Sequence, residues 1–378
     1  MSAARDVVVI GGGIIGSAVA LETARRGQDV MLVERDSPGR RASWAAAGML
    51  SPLGEAPGAG PFLELADASL TEYAGFVQRL REDTGIDVEY RTNGKLHVAF
   101  EASEEPALHA LGSGPLAERF DARVISAAEA RALEPELAPQ LTLALLVGRD
   151  HRVNNRLLAQ ALTVAVTRRG VTLRTGTPTA ALESAGGHVT GIRLASGEKV
   201  GARHVVIAAG SWSGELEGLP RSLPVFPVKG QMLAVDGRSR TNGRGARPPI
   251  ERVVHGTGAY LIPREDGRVL IGATVEHVGY RKGPTPRGVA GLIAAAARMV
   301  PLLADLPLVE TWAGFRPGTP DDMPILGAEP ELGGLYYATG HFRNGILLAP
   351  LTARVTADLI AGGPPAALIA PFSIARFS

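Results

Sequence analysis

Asp6-Val-Val-Val-Ile10-Gly11-Gly-Gly13-Ile-Ile-Gly16 runs from a continuous apolar stretch into glycines with the spacing Gly-x-Gly-x-x-Gly. The apolar stretch reads as a strand buried on both faces. A helical pattern follows through Ala20, Leu21 and Ala24, Gly27 closes it, and a second strand reads from Asp29 to Val33 with Glu34 at its end. Strands joined in this way are parallel with a right-handed crossover, which begins a doubly wound α/β fold. In that setting Gly11 permits the sharp turn, Gly13 withholds a Cβ that would collide with a pyrophosphate, and Gly16 lets helix and strand pack closely. The helix N-terminus offers unpaired N–H groups and partial positive charge to phosphate, and Glu34 stands where an acid reaches a ribose hydroxyl. The unit reads as a dinucleotide site for an unphosphorylated adenosine ribose: FAD or NAD rather than NADP.

Outward from this unit, Pro52 to Pro61 is rich in Gly and Pro and reads as a surface loop. Leu63 to Leu80 reads as a helix carried by Leu70, Tyr73, Val77 and Leu80. From Asp87 to Leu145 the pattern changes to short strands such as Lys95–Phe100 and polar helices near Ser126–Leu133, an excursion into a second lobe. The chain returns with a helix capped at Asn154 or Asn155 and running to Arg169, a strand at Val171–Arg174, a hairpin over His188–Val200 and a buried strand ending at Gly210. Val225–Val235, Gly258–Pro263 and Arg268–Ala273 are strands again, the last two joined by the Glu265-Asp266-Gly267 turn. Gly237–Arg247 is basic and Gly-rich and reads as a solvated loop. Leu335–Ala338 is a strand, Thr339–Gly345 a turn, and Ile346–Ile360 a terminal helix with Pro350 in its first turn.

Composition closes several routes. With no cysteine among 378 residues, disulfide frameworks, thiolate metal sites and Cys nucleophiles are excluded. Lys and Arg total 39 against 38 Asp and Glu, which leaves no surplus to neutralise phosphates, so no nucleic-acid partner is expected. His151 and His255 lack a partnered acid at diagnostic spacing, and no metal site is expected. Asp321-Asp322 reads as a solvated turn. Val289–Val300 and Ile346–Ile360 are too short to span a bilayer and are broken by Arg298, or by Arg354 and Asp358. Met1–Asp6 meets the apolar run without the cationic region of an export signal. The expectation is a soluble, cytoplasmic protein with no membrane partner.

One further stretch, Arg41-Ala-Ser43-Trp-Ala-Ala-Ala47-Gly48-Met49-Leu50-Ser51-Pro52, is built mostly from small residues. Such a stretch brings backbone close to a large flat ligand, or else packs as an Ala-rich helical turn in the core. Both readings stand on composition alone.

Taken together, Gly11–Gly16, Ala42–Met49, Ala208-Ala-Gly-Ser-Trp212, Pro227-Val-Lys-Gly230, Thr311-Trp-Ala-Gly-Phe-Arg-Pro-Gly318 and Gly340-His-Phe-Arg-Asn-Gly-Ile-Leu-Leu-Ala-Pro350 resemble, in order and from end to end, the D-amino acid oxidase family of FAD-dependent oxidoreductases, in its glycine-oxidising, thiamine-biosynthesis branch. The resemblance implies non-covalent FAD and an α/β fold with a Rossmann-like FAD-binding lobe and a second substrate lobe on a mixed, largely antiparallel sheet. The boundaries expected are residues 1–86, 146–222 and 319–378 for the FAD lobe, and 87–145 and 223–318 for the substrate lobe. Absent cysteine also excludes a cysteinyl-flavin link.

The resemblance further implies site residues. Gly11, Gly13, Ile14, Ile15 and Gly16 fall at the pyrophosphate, Glu34 and Arg35 at the adenosine end, and Ala42, Ser43, Ala47, Gly48 and Met49 along the flavin. Thr179 falls at a backbone contact, Gly210 at the end of its strand, and His341, Phe342, Arg343, Asn344, Gly345, Ile346 and Leu347 around the isoalloxazine. Arg316 matches a carboxylate-binding arginine, Arg343 a second arginine near the substrate, and Tyr260 a tyrosine of the pocket. A guanidinium suits that task because it can grip a carboxylate bidentately. Gly258, where a histidine is expected, and Val275, where a methionine is expected, depart from the pattern. The implied activity is oxidative deamination of glycine, sarcosine or small D-amino acids with molecular oxygen, in a homotetramer. The alternatives are an amino-acid dehydrogenase with another acceptor and a flavoprotein module associated with RNA modification.

Overall fold

The computed structural model describes residues 4–55, 58–238 and 248–377. Most of the Gly237–Arg247 loop therefore lies outside the described residues. The apolar run at the N-terminus forms the strand Arg5–Ile10, in which Val7, Val8 and Val9 have no exposed surface. It lies at the centre of an eight-stranded sheet. Val30–Val33 and then Thr172–Arg174 pair parallel on one side, Lys199–Ile207 and then Leu335–Thr339 parallel on the other. Ile325–Ala328 closes one edge antiparallel, and Thr179–Ala185 with His188–Leu194 extends the Lys199–Ile207 strand as an antiparallel ribbon. Helices Ile14–Arg25, Asn155–Arg168 and Ala349–Ile360 pack together on one face of this sheet, burying Ile14, Leu21, Leu158, Leu162 and Leu351.

The second sheet also has eight strands, in the order Leu308–Gly318, Phe226–Asp236, Arg268–Gly272, Ala259–Pro263, Val253–Gly256, Lys95–Ala99, Leu143–Val147 and Ala122–Ser126. Every pairing is antiparallel except that of Val253–Gly256 with Lys95–Ala99. The sheet is thus mixed and largely antiparallel, as expected. Helix Pro286–Met299 covers it through Leu292, Ala296 and Met299. Among the described residues no helix is long and apolar enough to cross a membrane.

Four local expectations change. Pro52–Glu55 is a helical turn with Pro52 and Leu53 buried, so the start of the supposed surface loop is packed against the core. The next helix runs Pro61–Thr84, longer than its apolar stripe suggested, because Gly85 provides the left-handed stop only at φ 75°. The terminal helix starts at Ala349 rather than Ile346, leaving a turn whose backbone borders the site described next. Val253–Gly256 and Ile325–Ala328 are strands that their short, mixed sequences did not announce; the first pairs with both Ala259–Pro263 and Lys95–Ala99, the second with Leu335–Thr339.

Candidate cofactor and substrate site

At the end of the first strand Gly11 turns the chain with φ +107°, and a Cβ there would overlap the Ala208 carbonyl. A Cβ on Gly16 would overlap the Gly11 carbonyl, so this glycine serves helix–strand packing and, unlike Gly11 and Gly13, does not line the cavity. A Cβ on Gly13 would meet only Ser43 Oγ, at 3.2 Å. The Ile14 amide donates to the same Ser43 Oγ at 2.9 Å, whereas Ile15 and Gly16 in the first turn have no preceding carbonyl of their helix to bond. Glu34 is held from both sides: Oε2 accepts from the Gly12 amide at 2.7 Å and Oε1 from the Asp36 amide at 2.8 Å.

These groups open onto a cavity of about 650 Å³ that runs from Glu34 and Arg35, past Gly11–Ile15, to Tyr260, Arg316 and Arg343. Near Arg35 the wall is Trp212, with the Arg35 and Arg41 guanidinium carbons 5.1 and 5.4 Å from its ring centre, and Tyr280 stacked on it at 5.2 Å. Thr179 and Gly210 line the same region. The small-residue stretch forms the middle wall and is pinned from behind. Asn155 donates to the Ser43 and Trp44 carbonyls at 2.8 and 3.1 Å, Trp312 Nε1 to the Ala45 carbonyl at 3.1 Å, and Arg264 to the Ala47 carbonyl at 2.8 Å. Ala42, Ser43, Ala47, Gly48 and Met49 line the cavity. Of the two readings of this stretch, backbone facing a ligand is the one the geometry supports.

At the far end Arg316 projects from the strand Leu308–Gly318 across Gly230, where a Cβ would lie 2.5 Å from the guanidinium nitrogens. Its Nη1 donates to the Thr274 carbonyl at 3.0 Å, and among the described residues it forms no ion pair. Tyr260 lines the cavity half-buried beside it, and loss of solvent raises its phenol above the usual range against the pull of Arg316. Arg343 stands differently: its Nε and Nη2 donate to Glu55 Oε2 at 2.9 and 2.6 Å.

His255 also lines the cavity, with Nδ1 3.2 Å from Nδ1 of His97. Burial first, then the charges of Lys95 and Arg343, lower its pKa to about 3. His341 is lowered to about 3 by burial, with Nε2 3.1 Å from Thr352 Oγ1. Both imidazoles are neutral at pH 7. Phe342, Asn344, Gly345 and Ile346 border the cavity, whereas Leu347 turns away and its carbonyl accepts from Ser69 Oγ at 2.7 Å.

The structure therefore gathers around one cavity every residue expected at the site except Gly16 and Leu347. Sequence reasoning missed Glu55, His255 and Arg264. Glu55 lay in a supposed loop and His255 lacked an acid neighbour, so neither carried a local signal. An elongated dinucleotide fits this cavity: Gly13 adds no Cβ to its wall, the helix N-terminus with Ile14 and Ile15 borders it, and the middle wall is mostly small residues, Ala42, Ser43, Ala45, Ala46, Ala47 and Gly48.

The family model of FAD dependent oxidoreductases, named DAO, matches residues 6–359. The chain belongs to that family. FAD is thus its cofactor, which resolves the choice left open by the glycine fingerprint. The bifunctional protein ThiO/ThiG of Synechocystis is 39% identical over 100% of this chain and 55% of its own length, so the chain spans about half of that relative. A glycine oxidase of Pseudomonas aeruginosa is 38% identical over 97% of this chain and 98% of its own. The crystal structure of glycine oxidase from Geobacillus kaustophilus superposes with a TM-score of 0.92 at 34% identity, covering 98% of both chains. Within the DAO family the chain is therefore similar to glycine oxidases throughout its length.

Proposed function

We propose that this DAO-family protein oxidises glycine, sarcosine or small D-amino acids. The substrate loses a hydride and a proton to become an imine, water converts the imine to glyoxylate or the matching oxo acid with release of ammonia or the amine, and the two electrons reduce oxygen to hydrogen peroxide. FAD supplies the electron-accepting chemistry. The chain's own residues bind and orient. Arg316, a cation with no acidic partner among the described residues, holds the carboxylate, and Tyr260 closes the pocket beside it. The backbone of Gly11–Ile15, with Glu34, Arg35 and Thr179, holds the dinucleotide end. Ala42–Met49, Gly210 and His341–Ile346 hold the flavin end, and FAD is bound non-covalently.

The observation that carries this reading is the unpaired Arg316 beside a middle wall with no side chain bulkier than a methyl at Ala45, Ala46 and Ala47. Glycine oxidases and ThiO/ThiG proteins among the relatives support the substrate and a link to thiamine thiazole synthesis. The two sheets support the proposed division into FAD and substrate lobes. A cytoplasmic homotetramer completes the reading, and sedimentation of the purified protein tests its size. Anaerobic titration with glycine, sarcosine and D-alanine tests the chemistry. Bleaching of the flavin absorbance is expected with glycine. If all three leave the flavin oxidised, the substrate assignment fails, and if reduced flavin then ignores oxygen, the protein is a dehydrogenase.

A further inference from the structure

Two guanidinium groups reach the substrate end of the cavity, and they are not equivalent. Arg316 forms no ion pair among the described residues, whereas Arg343 is neutralised within the chain by Glu55, whose side chain is only 13% exposed against 41% for Arg343. Glu55 is not a wandering surface acid. The turn that carries it is fixed from below: Ser51 Oγ donates to Asp150 Oδ2 at 2.6 Å, and Lys95 Nζ forms a buried ion pair with the same carboxylate oxygen at 2.9 Å. Leu53 is buried, and Gly54 lies so close to Lys95 and His97 that a Cβ would come within 2.8 Å of the ammonium nitrogen. A carboxylate on a turn anchored in this way, lining the cavity and holding one of its two arginines, leaves the net charge of that end of the cavity at one positive unit.

From this we infer that Glu55 is a specificity-determining residue: it keeps Arg343 from binding substrate, and so reserves the pocket for amines that carry a single carboxylate. This rests on the proposed amine oxidation and narrows its substrate class. A glycine or sarcosine carboxylate needs only Arg316. A second carboxylate, as in iminodiacetate or D-aspartate, would have to displace Glu55 from Arg343 or lie beside it as an unpaired like charge, and either costs binding. The discrimination comes from the repulsive element, so its removal should broaden the enzyme rather than merely weaken it.

The experiment compares holoprotein carrying Glu55→Gln with wild type in two readouts. Malonate and acetate are titrated against the flavin absorbance, which needs no turnover, and kcat/KM is measured for iminodiacetate and sarcosine. In Glu55→Gln the malonate-to-acetate affinity ratio and the iminodiacetate-to-sarcosine kcat/KM ratio are both expected to rise at least about tenfold. Adding Arg343→Met should cancel the rise. Glu55→Ala provides the same comparison if the amide variant folds poorly. Unchanged ratios in both Glu55 variants, or a rise that survives Arg343→Met, would overturn the inference. If sarcosine is not oxidised at all while the malonate ratio still rises, the proposed reaction is wrong and the role of Glu55 stands.

Discussion

At Gly230 the absence of one carbon decides whether the Arg316 guanidinium can reach its place. The guanidinium of Arg316 crosses this residue, and a methyl there would sit 2.5 Å from its nitrogens. Gly230→Ala should therefore push Arg316 aside. Loss of a charge-assisted grip of this kind costs about 2–4 kcal/mol, or roughly 30- to 1000-fold in kcat/KM. Steady-state kinetics should show the loss, with the flavin still bound. The histidines at the site make a second prediction. His255 and His341 have folded pKa values of about 3, below the unfolded value of about 6.5, because burial disfavours their charged forms. Between those values the unfolded state binds more protons, so stability falls as pH drops below about 6.5. Each histidine costs about 2 kcal/mol at pH 5 relative to pH 7. Denaturant titrations at pH 7, 6 and 5 should follow this decline, and His341→Gln should flatten it.

On the scale of elements, the glycines of the first turn do two separable jobs. Gly16 is a packing residue: its missing Cβ is where the Gly11 carbonyl lies, so Gly16→Ala should prevent the strand Arg5–Ile10 and the helix Ile14–Arg25 from docking and leave little folded protein. Gly13 faces the cavity, where a Cβ has only Ser43 Oγ nearby, so Gly13→Ala should fold as apoprotein within about 1 kcal/mol of wild type and lose FAD affinity. Fluorescence titration with FAD beside chemical denaturation of the apoprotein separates the two. This unit was legible in the sequence because its signals are local: an apolar strand, spaced glycines and an acid at the next strand end all lie within 29 residues, from Asp6 to Glu34. The strands Val253–Gly256 and Ile325–Ala328 were not legible, since each is only four residues long and contains a glycine, too short for an alternating pattern to show. Nor was the pairing of Glu55 with Arg343, separated by 288 positions, or the Pro52–Glu55 turn, where Gly and Pro spoke for a loop but buried Leu53 and Ser51 anchor it.

Across the whole molecule, the cavity lies on the seam between the two sheets, and a buried arginine fastens that seam. Arg264 follows the second-sheet strand Ala259–Pro263 and reaches across the seam, donating to the carbonyls of Ala47 and Val153 and to Asn155 Oδ1 at 2.8, 3.1 and 2.8 Å. It forms no ion pair among the described residues; these three oxygens are its hydrogen-bond acceptors, and the Glu89 carboxylate offsets part of its buried charge. Trp312 crosses the same seam to Ala45, with the Arg156 guanidinium between the Trp44 and Trp312 rings at 4.2 and 4.9 Å. Arg264→Lys keeps the charge but loses the planar fork that serves three acceptors at once, and unsatisfied buried oxygens cost about 1–3 kcal/mol each. Apoprotein stability should fall by about 2–4 kcal/mol. A purely structural clamp would stop there. Because Ala47 belongs to the cavity wall, a positioning role adds a second loss: the FAD dissociation constant should rise about tenfold or more, which removes a further ~1.4 kcal/mol of the stabilisation that saturating FAD confers on the folded state. Thermal unfolding of Arg264→Lys with and without excess FAD should therefore show a smaller FAD-dependent gain in Tm than wild type, and an undiminished gain would leave Arg264 as scaffold alone.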